Sequence, residues 1–447
     1  MTSVTHGLMV SGPPVWAARA GTLGRAASLA TRGRSAAAAA RALRALFDQV
    51  GRRRGFPLPR RRVRVGGRVF LDPTIPGWPS PALDRFLAGE LERIAPTSRA
   101  PPPIQLAVFA VTRRCPLRCS HCSEWDLLGT EDALDAGEVV EVARAVAGLG
   151  AVHLELSGGE PMVRLEAVEA TCRALGPEVD VWVLTSGYGL DTRSAARLRD
   201  AGAVGVAVSV DHWDPARHDA FRERSGAFEH AVEGARAAAA AELVVALSLT
   251  ATRDFTTADD LARYARLGRD LGAGFLRILE PRAVGRWAGC DVALAPAQVE
   301  LLLRFARAHN DEDSDLPLVE LPALSQRTVG CFGAGDRYFF VDAEGYAHAC
   351  PFCRERAGRV LGGALPETVA RLRARGCQAF PRALPDAPDL VFATTPSAME
   401  PSTGSCLGTG ADGQRSAPQG AGTGALISVS TEIDRKFYSD GTLGRIE

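Results

Sequence analysis

The sequence predicts an α/β fold: a partial (β/α)6 TIM-like barrel, preceded by a small N-terminal α+β unit and followed by a C-terminal cysteine-rich domain. Two observations carry this expectation. Between residues 104 and 309, six short runs rich in Val, Ile, Leu and Ala alternate with amphipathic helical segments. The runs are apolar at nearly every position, which implies strands buried on both faces, paired in parallel and covered by helices. A doubly wound sheet satisfies the same alternation, and either fold places ligands beyond the carboxyl ends of its strands. A chain of 447 residues is long enough for one large core with smaller attachments.

Taken in order, residues 1–60 form a basic leader rich in Arg and Ala, with Asp48 as its one acid. The stretch 34–54 within it combines strong helix formers with Arg clusters at both ends, a pattern that suits a solvated basic helix, a disordered leader or a helix lying on an anionic membrane. RVRVGGRVF, Arg62 to Phe70, alternates about Gly66-Gly67 as a hairpin does. Ser80-Pro81 then opens a helix with Leu83, Phe86, Leu87, Leu91 and Ile94 on one face. With the Pro-rich linker at Pro101 to Pro103 these make a hairpin-helix unit over 61–103. The barrel covers 104–325, with strands expected at Ile104 to Thr112, Val152 to Ser157, Val179 to Thr185, Val204 to Val210, Leu243 to Thr250 and Phe275 to Leu279. The helices between and after them are expected at Ala136 to Leu149, Leu165 to Leu175, Ser194 to Ala201, Phe228 to Ala240, Thr257 to Leu271 and Ala297 to His309. A small domain over 326–382 follows. Residues 383–447 carry Pro, Gly, Ser and Thr without periodicity and read as a disordered tail.

Formal net charge is zero and 46% of residues are hydrophobic, which fits a globular protein and argues against a nucleic-acid partner. Arg19, Arg25, Arg32 and Arg34 interrupt any apolar run that would serve as a secretory signal, and no stretch qualifies as a membrane span. Ten cysteines in so long a chain without a secretory pattern point to a reducing cytoplasm. The basic leader leaves peripheral membrane association open, or contact with an acidic leader peptide.

Directly after the first strand comes TRRCPLRCSHCSEW, with Cys115, Cys119 and Cys122 at spacings of three and two intervening residues. Thiolates are soft ligands suited to iron-sulfur clusters, and three of them leave one iron of a cubane open. Ser157-Gly158-Gly159-Glu160-Pro161 ends the second strand, where two glycines permit close backbone approach and a carboxylate can accept from an ammonium group. Together these motifs resemble the radical S-adenosylmethionine (SAM) superfamily over roughly Gln105 to Arg286. The resemblance implies a [4Fe-4S] cluster on Cys115, Cys119 and Cys122 that binds SAM, with His121 near the adenine and Gly158, Gly159 and Glu160 at the methionyl amine. It also implies cofactor contacts from Ser186 after the third strand, from Ser209 and Asp211 after the fourth, and from Arg277 in RILEPRAVGR after the sixth. Ser186 departs from the family's usual asparagine.

A second set follows in CFGAGDRYFFVDAEGYAHACPFC, where a hairpin turning at Asp342 to Gly345 would bring Cys331 towards Cys350 and Cys353, with Cys377 as a fourth thiol. The pattern resembles the SPASM and twitch extensions of the same superfamily, and the sparse cysteine count implies one auxiliary [4Fe-4S] cluster. Four thiolates also make a structural zinc site.

The resemblance implies an oxidoreductase or maturase-type enzyme that cleaves SAM reductively and removes hydrogen from a substrate, with a flavodoxin or ferredoxin as electron donor. A peptide or protein substrate, cross-linked or oxidised, leads; a small metabolite or lipid is the alternative. A non-catalytic iron-sulfur electron-transfer or zinc-binding protein is the reading from another class, and it gives no reason for Gly158, Gly159 and Glu160 to stand where they do.

Overall fold

The computed structural model describes residues 8–54, 59–129, 131–311, 314–323, 326, 331–353 and 355–377; the tail expected at 383–447 lies outside them. Its N-terminal part comprises β1 (Leu8–Val10), α1 (Pro13–Ala30), α2 (Ala36–Arg54), β2 (Arg62–Val65), β3 (Arg68–Phe70) and α3 (Pro81–Ile94). Ser80 caps α3, its hydroxyl accepting from Leu83 N–H with Pro81 in the first turn. The basic leader does not stand apart from the hairpin-helix unit, as the expected boundary at residue 60 would have it. β1 pairs antiparallel with β2, and Ala26, Leu29, Ala39 and Leu46 of α1 and α2 share one core with Leu83, Phe86, Leu87 and Leu91 of α3. Apolar residues spaced three and four apart drive that packing, and Arg19, Arg41 and Arg44 are left exposed.

The barrel strands and helices are β4 (Leu106–Ala110), α4 (Ala136–Gly148), β5 (His153–Ser157), α5 (Leu165–Leu175), β6 (Asp180–Thr185), α6 (Thr192–Ala201), β7 (Gly205–Ser209), α7 (Pro215–Arg222), α8 (Ala227–Ala240), β8 (Val244–Thr250), α9 (Ala258–Asp270), β9 (Phe275–Leu279), α10 (Pro296–Asp311) and β10 (Leu318–Glu320). They pair in parallel in unbroken chain order from β4 to β10. A doubly wound sheet would reverse its strand order at a switch point, so this order decides for the barrel-type winding. Asp135 and Asp191 close capping boxes at the starts of α4 and α6, which ends the loops above β4 and β6 sharply. The chain continues through β11 (Tyr338–Val341), β12 (Tyr346–His348), β13 (Gly358–Arg359) and α11 (Leu365–Arg375). β11 pairs in parallel with the outer edge of β4, and β12 and β13 add antiparallel beyond it. Strands β10 and β13 of the sheet and helices α7 and α11 had no counterpart among the expected elements, whereas β11 and β12 are the two arms of the expected hairpin, with β11 also joined to β4.

The two faces of the parallel strands differ in a way that decides where chemistry can occur. On β5, Leu154 and Leu156 enter the helix-covered core while Glu155 and Ser157 line a cavity; on β7 the same split separates Val206 and Val208 from Ala207 and Ser209. On β9, Leu276 and Ile278 face the helices and Arg277 and Leu279 the cavity. The sequence suggested two apolar faces, whereas the structure has one apolar face and one that encloses about 560 Å³ of partly polar space.

At the amino ends of the strands, Val63 and Phe70 of the hairpin pack with Trp182, Val244, Phe275 and Leu318. Trp182, 1% exposed, is the largest side chain in that plug. Trp182→Ala is expected to lower folding stability by about 3–5 kcal/mol, read as a lower midpoint in urea unfolding with the m-value retained.

Candidate active site

The loop after β4 carries the three cysteines, and Asp132 organises its base. Asp132 accepts from Thr112 Oγ1 at 2.6 Å and from Arg113 N–H at 3.0 Å, and pairs with Arg114 at 2.9 Å. Gly159 N–H donates to the Thr112 carbonyl and Glu160 N–H to that of Arg114, both at 2.8 Å. These contacts need glycine: a Cβ on Gly158, whose φ is +127°, would stand 2.5 Å from the Thr112 oxygen, and one on Gly159 would stand 2.4 Å from the Arg114 oxygen. The double glycine thus brings the β5 loop against the cysteine loop, besides lining the cavity. From the other side Gly285, at φ +56°, lies against the backbone of Cys122 and Ser123, and Arg286 N–H donates to the Cys122 carbonyl at 3.0 Å. Arg113 pairs with Glu344 in the turn between β11 and β12, which fastens the cysteine loop to the C-terminal hairpin.

Cys115, Cys119 and Cys122 share one small apolar cluster with Leu117 and Ala227, and all three line the same cavity. Burial pushes the Cys115 thiol up to about 11 and that of Cys122 to about 12. Cys119 is also raised by burial, opposed by Arg222, whose Nη1 lies 3.5 Å from its sulfur. Three soft donors converging on one cavity from a single loop fit the iron-sulfur cluster that the family resemblance implied. A cluster spreads its irons over several corners, so its thiolates need not meet at one point; among the described residues no three His, Cys, Asp or Glu side chains close on a single-ion site.

His121 lines the cavity, stacked on Phe221 with ring centroids 4.6 Å apart and tilted against Trp287 at 5.8 Å. Burial brings its pKa down to about 4, and its Nδ1 is buried without a hydrogen-bond partner, so the ring is neutral. Ser186 and Ser209 line the cavity as well. Two residues stand differently from expectation. The Glu160 carboxylate, 1% exposed, is absent from the cavity lining and is filled from within: Oε1 accepts from Met162 N–H at 3.0 Å and Thr185 Oγ1 at 2.7 Å, and Oε2 from Ser186 N–H and Oγ at 2.8 and 2.5 Å. Burial outweighs those bonds and raises its pKa. In place of an open acceptor for an ammonium group, Glu160 is a tie between the ends of β5 and β6. Arg277 sits mid-strand, below the loops, where it pairs with Glu155 at 2.7 Å and Glu320 at 2.8 Å. Asp211 lines the cavity and is likewise paired, with Arg222 at 2.5 Å, while accepting from Thr250 N–H at 3.0 Å. Burial opposes charge on Arg222, yet Asp211 and Cys119 outweigh it and hold the guanidinium above the ordinary arginine range.

Glu155, Glu320 and Arg222 were not foreseen. A single charged residue inside an apolar strand run, as Glu155 in HLELS, was the available signal for the first; Arg222 lies in a helix that the periodicity did not reveal.

In the second set, Cys350 and Cys353 are 3.3 Å apart, sulfur to sulfur, and Cys377 is near enough to Cys331 to perturb its thiol. The neighbouring Cys350 thiol lowers Cys353 to about 7, while Cys350 and Cys331 are raised. His348 bridges Asp342, at 2.8 Å, and the Cys353 carbonyl, at 3.2 Å. The hairpin, the loop before it and the residues just after α11 thus bring these four thiols near one another.

A parallel α/β barrel sheet with three loop thiols and a double-glycine loop at its carboxyl end defines a class of SAM-dependent iron-sulfur enzyme. Residues 109–267 match the family model described as the Radical SAM superfamily. The chain is 32% identical over 251 residues to a GTP 3',8-cyclase of Moorella thermoacetica, covering 55% of this chain and 75% of the relative. It is 30% identical over 255 residues to a PqqA peptide cyclase of Streptomyces rochei, covering 55% of this chain and 68% of that one. Among solved structures, SuiB of Streptococcus suis bound to its precursor peptide SuiA aligns at TM-score 0.48 and 10% identity, over 63% of this chain and 69% of that one. The chain belongs to the radical SAM superfamily. Its members are enzymes, which sets aside the non-catalytic alternative. Among the described residues, no helix is long and apolar enough to cross a membrane.

Gly159→Ala is expected to displace the cysteine loop, seen as reduced iron uptake at the first site with an unchanged far-ultraviolet spectrum. A second expectation concerns pH. Burial alone would raise Glu155, but Arg277 and His153 outweigh it and bring its pKa to about 2 from an ordinary 4.5. Its contribution to stability is therefore complete above the ordinary value and lost as pH falls through about 2. Urea midpoints of the wild type should fall over that window, and those of Glu155→Gln should start lower and fall less.

Proposed function

We propose that this enzyme cleaves SAM reductively and modifies a peptide or protein by hydrogen abstraction, forming a cross-link or an oxidised product. The observation that carries this reading is the convergence of Cys115, Cys119, Cys122, Gly158, Gly159, Ser186, Ser209 and Asp211 on one cavity that continues between the strands to Arg277. Cys115, Cys119 and Cys122 would hold a [4Fe-4S] cluster that, once reduced, would supply the single electron for reductive cleavage of bound SAM and so the means of hydrogen abstraction.

The protein's own residues bind, orient and exclude water. Gly158 and Gly159 present backbone to the methionyl end of the cofactor, close to the open side of the thiol loop. Glu160 acts through Ser186, fixing the hydroxyl and N–H that border the cavity. His121, neutral and held between Phe221 and Trp287, offers an apolar face and a free ring nitrogen to a heteroaromatic base. Asp211 and Ser209 supply polar contacts to the sugar. Deeper in, the paired charges of Arg277, Glu155 and Glu320 present a hydrogen-bonding surface where the substrate group would lie, shielded from bulk water by the strands and by the hairpin plug. Cys331, Cys350, Cys353 and Cys377 would hold one auxiliary iron-sulfur cluster, and a flavodoxin or ferredoxin would deliver the electron.

The peptide reading is supported by the likeness to a PqqA peptide cyclase. A small-molecule substrate is the second reading, supported by the GTP 3',8-cyclase and by a cavity whose size suits one small ligand beside the cofactor.

Anaerobic reconstitution with iron and sulfide, then dithionite and SAM, should yield 5′-deoxyadenosine. Cys119→Ala should abolish that product. Cys350→Ala should lose iron yet keep the cleavage largely intact. Zinc at the second site of protein reconstituted in this way would overturn the auxiliary-cluster assignment.

A further inference from the structure

Helices α1 and α2 bury one face each and leave the other bare. Ala26, Leu29, Ala39, Ala42 and Leu46 enter the core shared with α3, and Arg25 and Arg34 reach back to pair with Asp84 and Glu92 of that helix. The outward faces carry a different chemistry. Among the described residues four large hydrophobic side chains are exposed, and three of them are here: Trp16 at 65%, Leu23 at 49% and Phe47 at 37%. Trp16, Ala20, Leu23 and Ala27 recur at the spacing that keeps to one line along a helix, and Ala36, Ala40 and Phe47 do so on α2. All of these are exposed except Ala27, which is half-buried.

Beside the two stripes stand Arg41 and Arg44 on α2, with Arg19 on α1 and Arg32 in the turn between the helices, all exposed. Arg32, Arg41 and Arg44 have no ion-pair partner among the described residues, and Asp48 is the one acid in residues 1–60. Single apolar residues scattered over a surface need no explanation, but large ones gathered with unpaired arginines on two helices do. None of them lines the barrel cavity. An extended peptide is held in a groove or along a sheet edge. An outward helix face with Trp, Leu and Phe beside Arg instead matches the boundary of a bilayer, where the apolar groups enter between headgroups and guanidinium groups meet lipid phosphate. Charge complementarity selects the lipid: cations with so little acid among them are drawn to an anionic leaflet and only weakly to a zwitterionic one. No helix among the described residues is long and apolar enough to cross a membrane, so the contact is one of helices lying in the interface.

We propose that α1 and α2 form a docking face for an anionic lipid surface, with Trp16, Leu23 and Phe47 seated among the headgroups and Arg32, Arg41 and Arg44 paired with lipid phosphate. The face lies outside the cavity, and the proposal is independent of the catalytic reading.

Full-length protein reconstituted with iron and sulfide is sedimented with vesicles of phosphatidylcholine alone and of phosphatidylcholine mixed with phosphatidylglycerol. The parent is expected to bind the anionic vesicles, to bind the neutral ones severalfold less, and to be released by added salt. Trp16→Ser combined with Leu23→Ser, and Arg41→Gln combined with Arg44→Gln, change exposed side chains only. Each pair should weaken binding to anionic vesicles severalfold with an unchanged far-ultraviolet spectrum. Arg173→Gln combined with Arg199→Gln removes the same charge from exposed positions on α5 and α6 and should bind like the parent. Absence of binding to anionic vesicles, equal binding to both kinds, or parent-like binding by either N-terminal pair would overturn the proposal. So would an equal loss in the α5 and α6 pair, which would reduce the effect to net charge. Uptake of a labelled glutamate-rich peptide without vesicle binding would overturn it in favour of an acidic peptide.

Discussion

The site depends on two backbone hydrogen bonds, from Gly159 N–H to the Thr112 carbonyl and from Glu160 N–H to that of Arg114. They bring the loops above β4 and β5 into contact at a distance that no side chain larger than hydrogen allows. The positions of the three thiols follow from that contact, because Cys115 immediately succeeds Arg114. The Glu160 carboxylate is then left pointing into the junction with β6, where it orders Ser186. Thus one steric requirement, met by two glycines, sets both the loop that offers the thiols and the residues that border the neighbouring volume.

The charged groups of the cavity show how a polar interior is tolerated. Arg277 with Glu155 and Glu320, and Arg222 with Asp211, are buried pairs whose desolvation is offset only by close mutual contact and further hydrogen bonds. Such pairs are weak contributors to net stability. They are better understood as a fixed field inside a low-dielectric space, present before any ligand arrives and requiring little reorganisation when charge shifts nearby. The apolar helix-facing side of the same strands supplies the cohesion that carries this polar side.

Much of this was legible from residue order. The six strands and the helices between them lie within two residues of the expected ends, since each is a long apolar or amphipathic run bounded by Gly, Asp or Pro. The cysteine spacing and the double glycine pointed to one mouth, and the structure brings them together. What escaped were features set by pairing rather than by local pattern. β10 has three residues and no measurable period, and β11 looked only like half of a hairpin until β4 took it as a neighbour. α7 is short and mostly polar. The orientations of Glu160 and Arg277 are decided by partners on other strands, Ser186, Glu155 and Glu320, which no local reading of either segment contains. The leader looked separate because its arginines obscured the alanine and leucine stripe that α3 covers.

The place of β11 constrains how the protein can be recombined. Because Tyr338–Val341 runs alongside Leu106–Phe109, the cysteine-bearing extension is stitched into the barrel sheet and cannot be treated as a detachable cassette. Excising it would bare the N–H and C=O groups along one flank of β4, an invitation to intermolecular pairing. Chimaeras that exchange this extension between relatives should therefore carry β4 along with it.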